Sequence, residues 1–314
     1  MQRIGTTSLQ VFPVCLGGNV FGWTATEAES FAVLDAYFAA GGNFVDTADV
    51  YSAWKPGNSG GESEEILGRF MASRGNRDRV VVATKVGKMA GLSGLSAATI
   101  RKAAEDSLRR LRIDRIDLYY AHADDPATPL EETLGAFDAL VREGKVREIA
   151  ASNYAAPRLA EALAVSRRLG LARYVALQPH YNLVHRAEYE GELQALCVRE
   201  GLAVFPYYAL ASGFLAGKYR PGRTIASVRS GAAAKHLDEP GLRVLAALDA
   251  VAAERGTTVA SIALAWLLGR PGVVAPIASA RTPEQLAEIL PAATLSLTAE
   301  ESDRLEAASR PHGG

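Results

Sequence analysis

The run Arg79-Val80-Val81-Val82-Ala83-Thr84-Lys85, the helical pattern over residues 97–111 and the run Ile116-Asp117-Leu118-Tyr119-Tyr120-Ala121-His122 decide the fold. Two short runs rich in Val, Ile and Tyr, separated by a helix, read as a βαβ unit whose strands lie parallel. The same beat extends in both directions. Apolar runs at 14–16, 43–46, 80–85, 116–122, 146–152, 174–178, 203–207 and 273–277 predict eight strands. Helical patterns at 27–40, 63–73, 97–111, 130–143, 156–169 and 188–200 fall between them, and patterns at 241–255, 259–268 and from Thr282-Pro283-Glu284 complete the chain. Eight such strands, apolar on both faces, predict an α/β fold closed into a (β/α)8 TIM barrel in preference to an open doubly wound sheet. Residues 4–14 alternate around Gly5-Thr6-Thr7-Ser8 as a short N-terminal hairpin. With no composition shift to mark a boundary, residues 1–314 are expected to form a single barrel domain.

Composition narrows the function classes. A hydrophobic fraction of 48%, a charged fraction of 22% and a formal net charge of −1 give ample core and no general attraction to nucleic acid or anionic membrane. Cys15 and Cys197 are too few for a disulfide framework and are expected as buried thiols of a reducing compartment. Met1-Gln2-Arg3-Ile4-Gly5 opens no leader pattern, and no stretch reaches the ~18 apolar residues of a membrane span. The expectation is a cytoplasmic protein with neither nucleic acid nor membrane as partner, and a monomer is favoured.

Several motif-like strings fail on context. Gly57-Asn58-Ser59-Gly60-Gly61 spells the hydrolase G-x-S-x-G, but Trp54-Lys55-Pro56 precedes it where a buried strand is needed. Ser212-Gly213-Phe214-Leu215-Ala216-Gly217-Lys218 approaches a phosphate loop, yet it opens on Ser and Tyr219 follows the lysine. No G-x-G-x-x-G is present. His180 and His185 have no acidic or cysteine partner at ligand spacing, so no metal is expected. The Gly/Pro stretch 54–61 and the long stretch 218–240 read as loops on the catalytic side of a barrel.

Four polar residues close strand-like runs. Asp46 ends one, with Tyr51 five residues later, and Lys85 and His122 end the next two. In a barrel of parallel strands the C-terminal lip is where residues distant in sequence converge. An ammonium ~4 Å from a phenol contributes roughly 4 kcal/mol at an effective dielectric of about 20, enough to pull an ordinary pKa of about 10 toward neutrality. Lys85 supplies that charge, Asp46 holds the ammonium, and His122 orients a carbonyl oxygen beside Tyr51. A phenol so placed suits protonation of the alkoxide formed when hydride adds to an aldehyde or ketone. Taken singly, each residue is more simply a core edge or half of a buried ion pair; four on neighbouring strand ends favour the chemistry.

The segment Gly41-Gly42-Asn43-Phe44-Val45-Asp46-Thr47-Ala48-Asp49-Val50-Tyr51 resembles the aldo-keto reductase family. So do Thr84-Lys85, Tyr119-Tyr120-Ala121-His122, Ser152-Asn153, Gln178, Leu215-Ala216-Gly217-Lys218-Tyr219 and Arg281-Thr282-Pro283-Glu284-Gln285-Leu286, in order from about residue 3 to about residue 306. The resemblance implies a (β/α)8 barrel that binds NADPH/NADP+ in extended form and reduces a small-molecule carbonyl substrate. It makes Tyr51 the proton donor, supported by Lys85, Asp46 and His122. It assigns Ser152, Asn153 and Gln178 to the nicotinamide carboxamide and Tyr207 to the ring face, with Leu210 and Gln285 among the further cofactor contacts.

At the cofactor's other end, Gly213 and Gly217 permit close backbone approach and Lys218 offers charge to the pyrophosphate. Arg281, just before the helix opening at Pro283, can meet a 2′-phosphate with help from the helix dipole. The chain departs from the common pattern at Tyr208-Ala209, where Ser-Pro is usual, at Ala278 for Gly, and at Ile289 for Asn. Trp23 and Trp54 would wall a pocket for small aldehydes, ketones or sugar-like carbonyls. One branch of the family resembles the cytoplasmic β subunit of potassium channels, so a cofactor-binding regulatory subunit is the rival expectation. An isomerase or lyase without redox cofactor would leave Ser152, Asn153, Gln178 and Arg281 with no shared task.

Overall fold

The computed structural model describes residues 1–222, 225 and 227–310. Its centre is a ring of parallel strands: β1 (Cys15–Gly17), β2 (Phe44–Asp46), β3 (Val81–Val86), β4 (Ile116–Ala121), β5 (Val146–Ser152), β6 (Tyr174–Gln178), β7 (Ala203–Val204) and β8 (Ile277–Ala278). Neighbours in sequence are neighbours in the sheet, and β8 lies against β1. The ring closes between β7 and the chain entering β8. Val204 bridges Val273, the Val274 N–H donates to Val204 O at 3.0 Å, and the Ile277 N–H donates to Pro206 O at 2.9 Å. This is the predicted (β/α)8 barrel. The last two strands are shorter than their apolar runs because Pro206 and Pro276 have no N–H to give the ladder.

Helices α1 (Glu27–Ala39), α2 (Glu62–Arg74), α3 (Ala97–Leu111), α4 (Leu130–Arg142), α5 (Ala156–Leu169) and α6 (Glu192–Glu200) follow β1 to β6. α7 (Ser230–Ala234), α8 (Glu239–Arg255) and α9 (Val259–Leu268) lie between β7 and β8, and α10 (Pro283–Ala287) and α11 (Ala299–Ser309) follow β8. Side-chain caps fix the starts of α1, α3, α9 and α11: the hydroxyls of Thr26, Ser96, Thr258 and Thr298 each accept from the backbone N–H three residues on. Thr26 and Thr298 complete capping boxes with Glu29 and Glu301. α6 starts at Glu192 rather than 188, with the intervening residues in turns, and α11 was not anticipated. The predicted loop 218–240 contains α7; its positions 223, 224 and 226 lie outside the described residues.

The strand period of two sorts side chains into two cores. Leu16, Val45, Val82, Tyr119, Ile149 and Leu177 face the helices. Cys15, Phe44, Val81, Ala83, Leu118, Tyr120, Ala150 and Ala176 fill the barrel interior. The N-terminal hairpin, Gln2–Arg3 paired antiparallel with Gln10–Val11, joins that interior through Ile4, Leu9 and Val11 and so plugs one end. Both cysteines are buried free thiols. Among the described residues no single helix is long and apolar enough to cross a membrane.

Candidate active site

The inward alternation that buries Phe44, Ala83, Tyr120, Ala150 and Ala176 continues by two residues to Asp46, Lys85, His122, Ser152 and Gln178. Register keeps them level. Lys85 pairs with Tyr120, and Ser152 pairs with Gln178. The interior thus changes from apolar to polar at its C-terminal layer, and the turn after β2 brings Tyr51 over it.

The Lys85 ammonium is fully buried and donates to Asp46 Oδ2 at 2.6 Å, Thr47 O at 2.8 Å and Tyr51 Oη at 2.9 Å. Its three N–H bonds are all used. With Lys85 donating into the phenol oxygen, the Tyr51 proton has to point elsewhere, and it reaches Asp46 Oδ2 only at a long 3.3 Å. Gln178 Nε2 donates to Asp46 Oδ1 at 2.9 Å and fixes the carboxylate from its other side. The His122 ring meets Tyr51 edge-on at 6.2 Å, and its Nδ1 has no hydrogen-bond partner.

The electrostatics correct one expectation. Burial, and then the Asp46 carboxylate, push the Tyr51 phenol well above its ordinary value, so Lys85 does not bring it toward neutrality. The main reason is that the phenol is buried, and the ammonium facing it is already paired with the Asp46 carboxylate at 2.6 Å. Burial, followed by the charges of Lys85 and Lys88, holds the His122 imidazole well below its usual range. Around neutral pH the pair is therefore a protonated phenol and an uncharged imidazole.

These residues open into a cavity of about 790 Å³ that runs from Tyr51 and His122 to Arg281 and Ile289. The sequence-selected site residues except Lys85 and Gly217 border it, including Ser152, Asn153, Tyr207, Leu210, Gly213, Lys218 and Gln285. Asn153, at φ +57°, donates to His122 O at 2.8 Å and accepts from Tyr207 Oη at 2.7 Å. Tyr207 stacks on His180 at 5.3 Å. Gly217 lies just beneath, at φ +77°, where a Cβ would press Val259 at 3.1 Å. Lys218 and Arg281 form no ion pair among the described residues. Amide and hydroxyl groups at the deep end and free cations at the far end form a donor set that fits an extended dinucleotide. α10 is a single turn, so the dipole expected to assist Arg281 is small. Trp23 and Trp54 meet edge-on at 5.6 Å, and Trp54 lies 6.0 Å from Tyr51, which walls the entrance with aromatic rings.

Sequence reading overlooked several residues. Glu188 is the acidic partner that His185 was thought to lack: its Oε2 lies 3.1 Å from His185 Nε2, and His180 stacks on His185 at 3.6 Å. Rings inclined by only 12° direct their in-plane lone pairs side by side rather than at one point. Lys88 and Arg229 also line the cavity, and no motif or period marked them. Ser59 of the G-x-S-x-G string is exposed in a turn region, away from any strand end.

A family model described as "Aldo/keto reductase family" matches residues 13–310. The chain is 35% identical over 306 residues to an uncharacterized oxidoreductase of Bacillus subtilis, covering 95% of this chain and 92% of that protein. It is 34% identical over 319 residues to a probable voltage-gated potassium channel subunit beta of Oryza sativa, covering 98% and 95%. It is also 32% identical over 320 residues to an aryl-alcohol dehydrogenase [NADP(+)] of Phanerodontia chrysosporium, covering 93% and 81%.

Proposed function

For a chain that belongs to the aldo/keto reductase family, and is thus an oxidoreductase of NADP(H)-dependent carbonyl chemistry, we propose that Tyr51 is the proton donor in reduction of an aldehyde or ketone to an alcohol. NADPH, when bound, supplies the hydride. The observation that carries the reading is the saturated Lys85 ammonium, whose bond into Tyr51 Oη leaves the phenol proton only a long 3.3 Å bond to Asp46 to exchange for one to a carbonyl oxygen. A phenol with a raised pKa stays protonated until hydride arrives, and the alkoxide then formed is the base that takes its proton. Uncharged His122 can donate to the same oxygen and turn it toward Tyr51. Buried Asp46, held by Lys85 and Gln178, keeps the ammonium in place.

Ser152, Asn153, Gln178, Tyr207, Leu210 and Gln285 would hold the nicotinamide half and its neighbours, with Gly213, Gly217, Lys218 and Arg281 on the phosphates. The Trp23–Trp54 wall suits flat substrates, in keeping with a relative named for aryl alcohols. The test is NADPH absorbance with a panel of aryl and alkyl aldehydes and ketones; turnover on aryl members is expected. Tight NADPH binding with no turnover on the whole panel would favour the second reading, a cofactor-binding subunit, which the potassium-channel relative supports. Arg281→Ala should lower NADPH affinity about tenfold or more and leave NADH affinity little changed, because only the 2′-phosphate offers a charge-assisted bond. Equal losses for both cofactors in a binding titration would remove Arg281 from that role.

A further inference from the structure

A second cavity, of about 390 Å³, shares no lining residue with the one at Tyr51. Ser59 and Gly60 form one wall, Met89 and Leu92 another, and Ala103 with Asp106 of α3 the third. Met89 and Leu92 pair with each other in a short hairpin after β3. Gly60, at φ +99°, passes so close to that hairpin that a Cβ would lie 2.6 Å from Met89 Cε. Ser59 and the hairpin tip are exposed at the mouth, whereas Ala103 and Asp49 are buried at its depth.

Asp49 is the acid of this lining that nothing answers. It is 1% exposed, and neither carboxylate oxygen has a well-formed hydrogen bond among the described residues. The groups that act on it are Glu64 of α2, Arg110 of α3 and Lys85 of β3, and it acts in turn on Tyr119 of β4. Each nearby cation is engaged elsewhere. Arg110 Nε donates to Glu64 Oε2 at 2.6 Å, Lys85 serves Asp46, Thr47 and Tyr51, and Lys102 at the cavity wall donates to Asp106 at 2.5 Å. Glu64 also accepts from Thr84 Oγ1 at 2.5 Å, and Asp106 is held by Lys102 and Arg109. A buried carboxyl group with two open acceptor oxygens is unfavourable and marks a place where a donor completes the site.

We infer that this cavity is a second ligand site, for a small molecule that carries an amidinium or guanidinium group. A planar cation with two parallel N–H bonds answers both oxygens of Asp49 at once. The Met89 thioether and Leu92 give the body of such a ligand an apolar, polarisable wall. The site stands apart from carbonyl chemistry but adjoins its machinery: the Asp49 N–H donates to Lys85 O at 3.3 Å, and Tyr51 follows two residues on.

The test is a binding titration of benzamidine and of its uncharged counterpart benzamide, with NADP+ present, on the parent and on Asp49→Asn. Benzamidine is expected to bind the parent about tenfold or more tightly than benzamide, and Asp49→Asn to remove a similar factor, the scale of a charge-assisted hydrogen bond. Burial, then Glu64, raise the Asp49 pKa to about 7, and only the ionised carboxylate pairs with a cation. Affinity of the parent for benzamidine should therefore rise by up to about tenfold from pH 6 to pH 8. The amide and pH comparisons use the parent alone, so they decide the matter even where Asp49→Asn fails to fold. No binding at millimolar benzamidine, equal affinity for the two compounds, or an affinity that ignores pH would each overturn the proposal. So would an unchanged affinity in folded Asp49→Asn, which would move benzamidine to the aromatic wall of the larger cavity.

Discussion

Each N–H of Lys85 is committed, to Asp46, Thr47 and Tyr51, and the lysine and Asp46 are almost wholly shielded from solvent. Removing the ammonium leaves a buried carboxylate uncompensated. Lys85→Met should therefore cost about 3–5 kcal/mol of stability in urea unfolding, as well as slowing any turnover; a loss under about 1 kcal/mol would mean that Asp46 is not charged there. Asp49 raises a related issue close by. Both its carboxylate oxygens are buried without a well-formed hydrogen bond among the described residues, and burial, then Glu64, raise its pKa to about 7. Because the folded value lies above the unfolded value of about 3.9, the folded state holds the extra proton between them. Its contribution to stability is full below about pH 4 and is lost as pH rises through about 7, by up to roughly 4 kcal/mol. Asp49→Asn should consequently lose less stability than the parent between pH 5 and pH 8. Parallel urea midpoints for the two proteins at both pH values would remove the effect. Asp46, Lys85 and His122 were legible in sequence because each closes an apolar run. The direction of the Tyr51 shift was not, since it depends on how completely the fold buries the phenol beside the Asp46 carboxylate.

The helices and strands follow local chemistry closely where caps and alternation are strong, as at Thr26 and Thr298 or in β3 and β4. Local chemistry says less where proline interrupts the ladder at β7 and β8, and nothing singled out Arg229 among the basic residues of a polar loop. Packing between helices adds constraints that a period cannot express. Gly68 of α2 faces α3 so closely that a Cβ would lie 2.4 Å from Arg110 O and 2.7 Å from Leu111 O. Gly135 of α4 has nothing within 4 Å of the same point. Gly68→Ala should destabilise by about 1–3 kcal/mol or more through overpacking. Gly135→Ala should stabilise by about 0.5–1 kcal/mol through helix propensity. Thermal or urea unfolding of the two variants side by side checks the pair; a similar shift in both would contradict the α2–α3 contact.

At the scale of the whole molecule, closure of the ring converts strand order into a layered interior. The hairpin residues Ile4, Leu9 and Val11 fill one end, Phe44, Tyr120 and Phe205 the middle, and Asp46, Lys85, His122 and Gln178 the C-terminal lip. The beat of eight apolar runs made this architecture readable, because a parallel strand buried on both faces leaves a continuous signature. The cavity's charge was harder to read: Lys88, Lys218 with Arg229, and Arg281 come from three separate loops, and only closure gathers them. The same closure sets Tyr51 against Lys85, and the claim that the Tyr51 proton goes to a carbonyl oxygen is the centre of the account. Tyr51→Phe keeps the ring and leaves the Lys85–Asp46 pair intact, so the decisive measurement is its kcat for an aldehyde that the parent reduces, alongside its NADPH affinity. The account predicts a fall of ~10²-fold or more in kcat with NADPH affinity retained; turnover within a few-fold of the parent would contradict it.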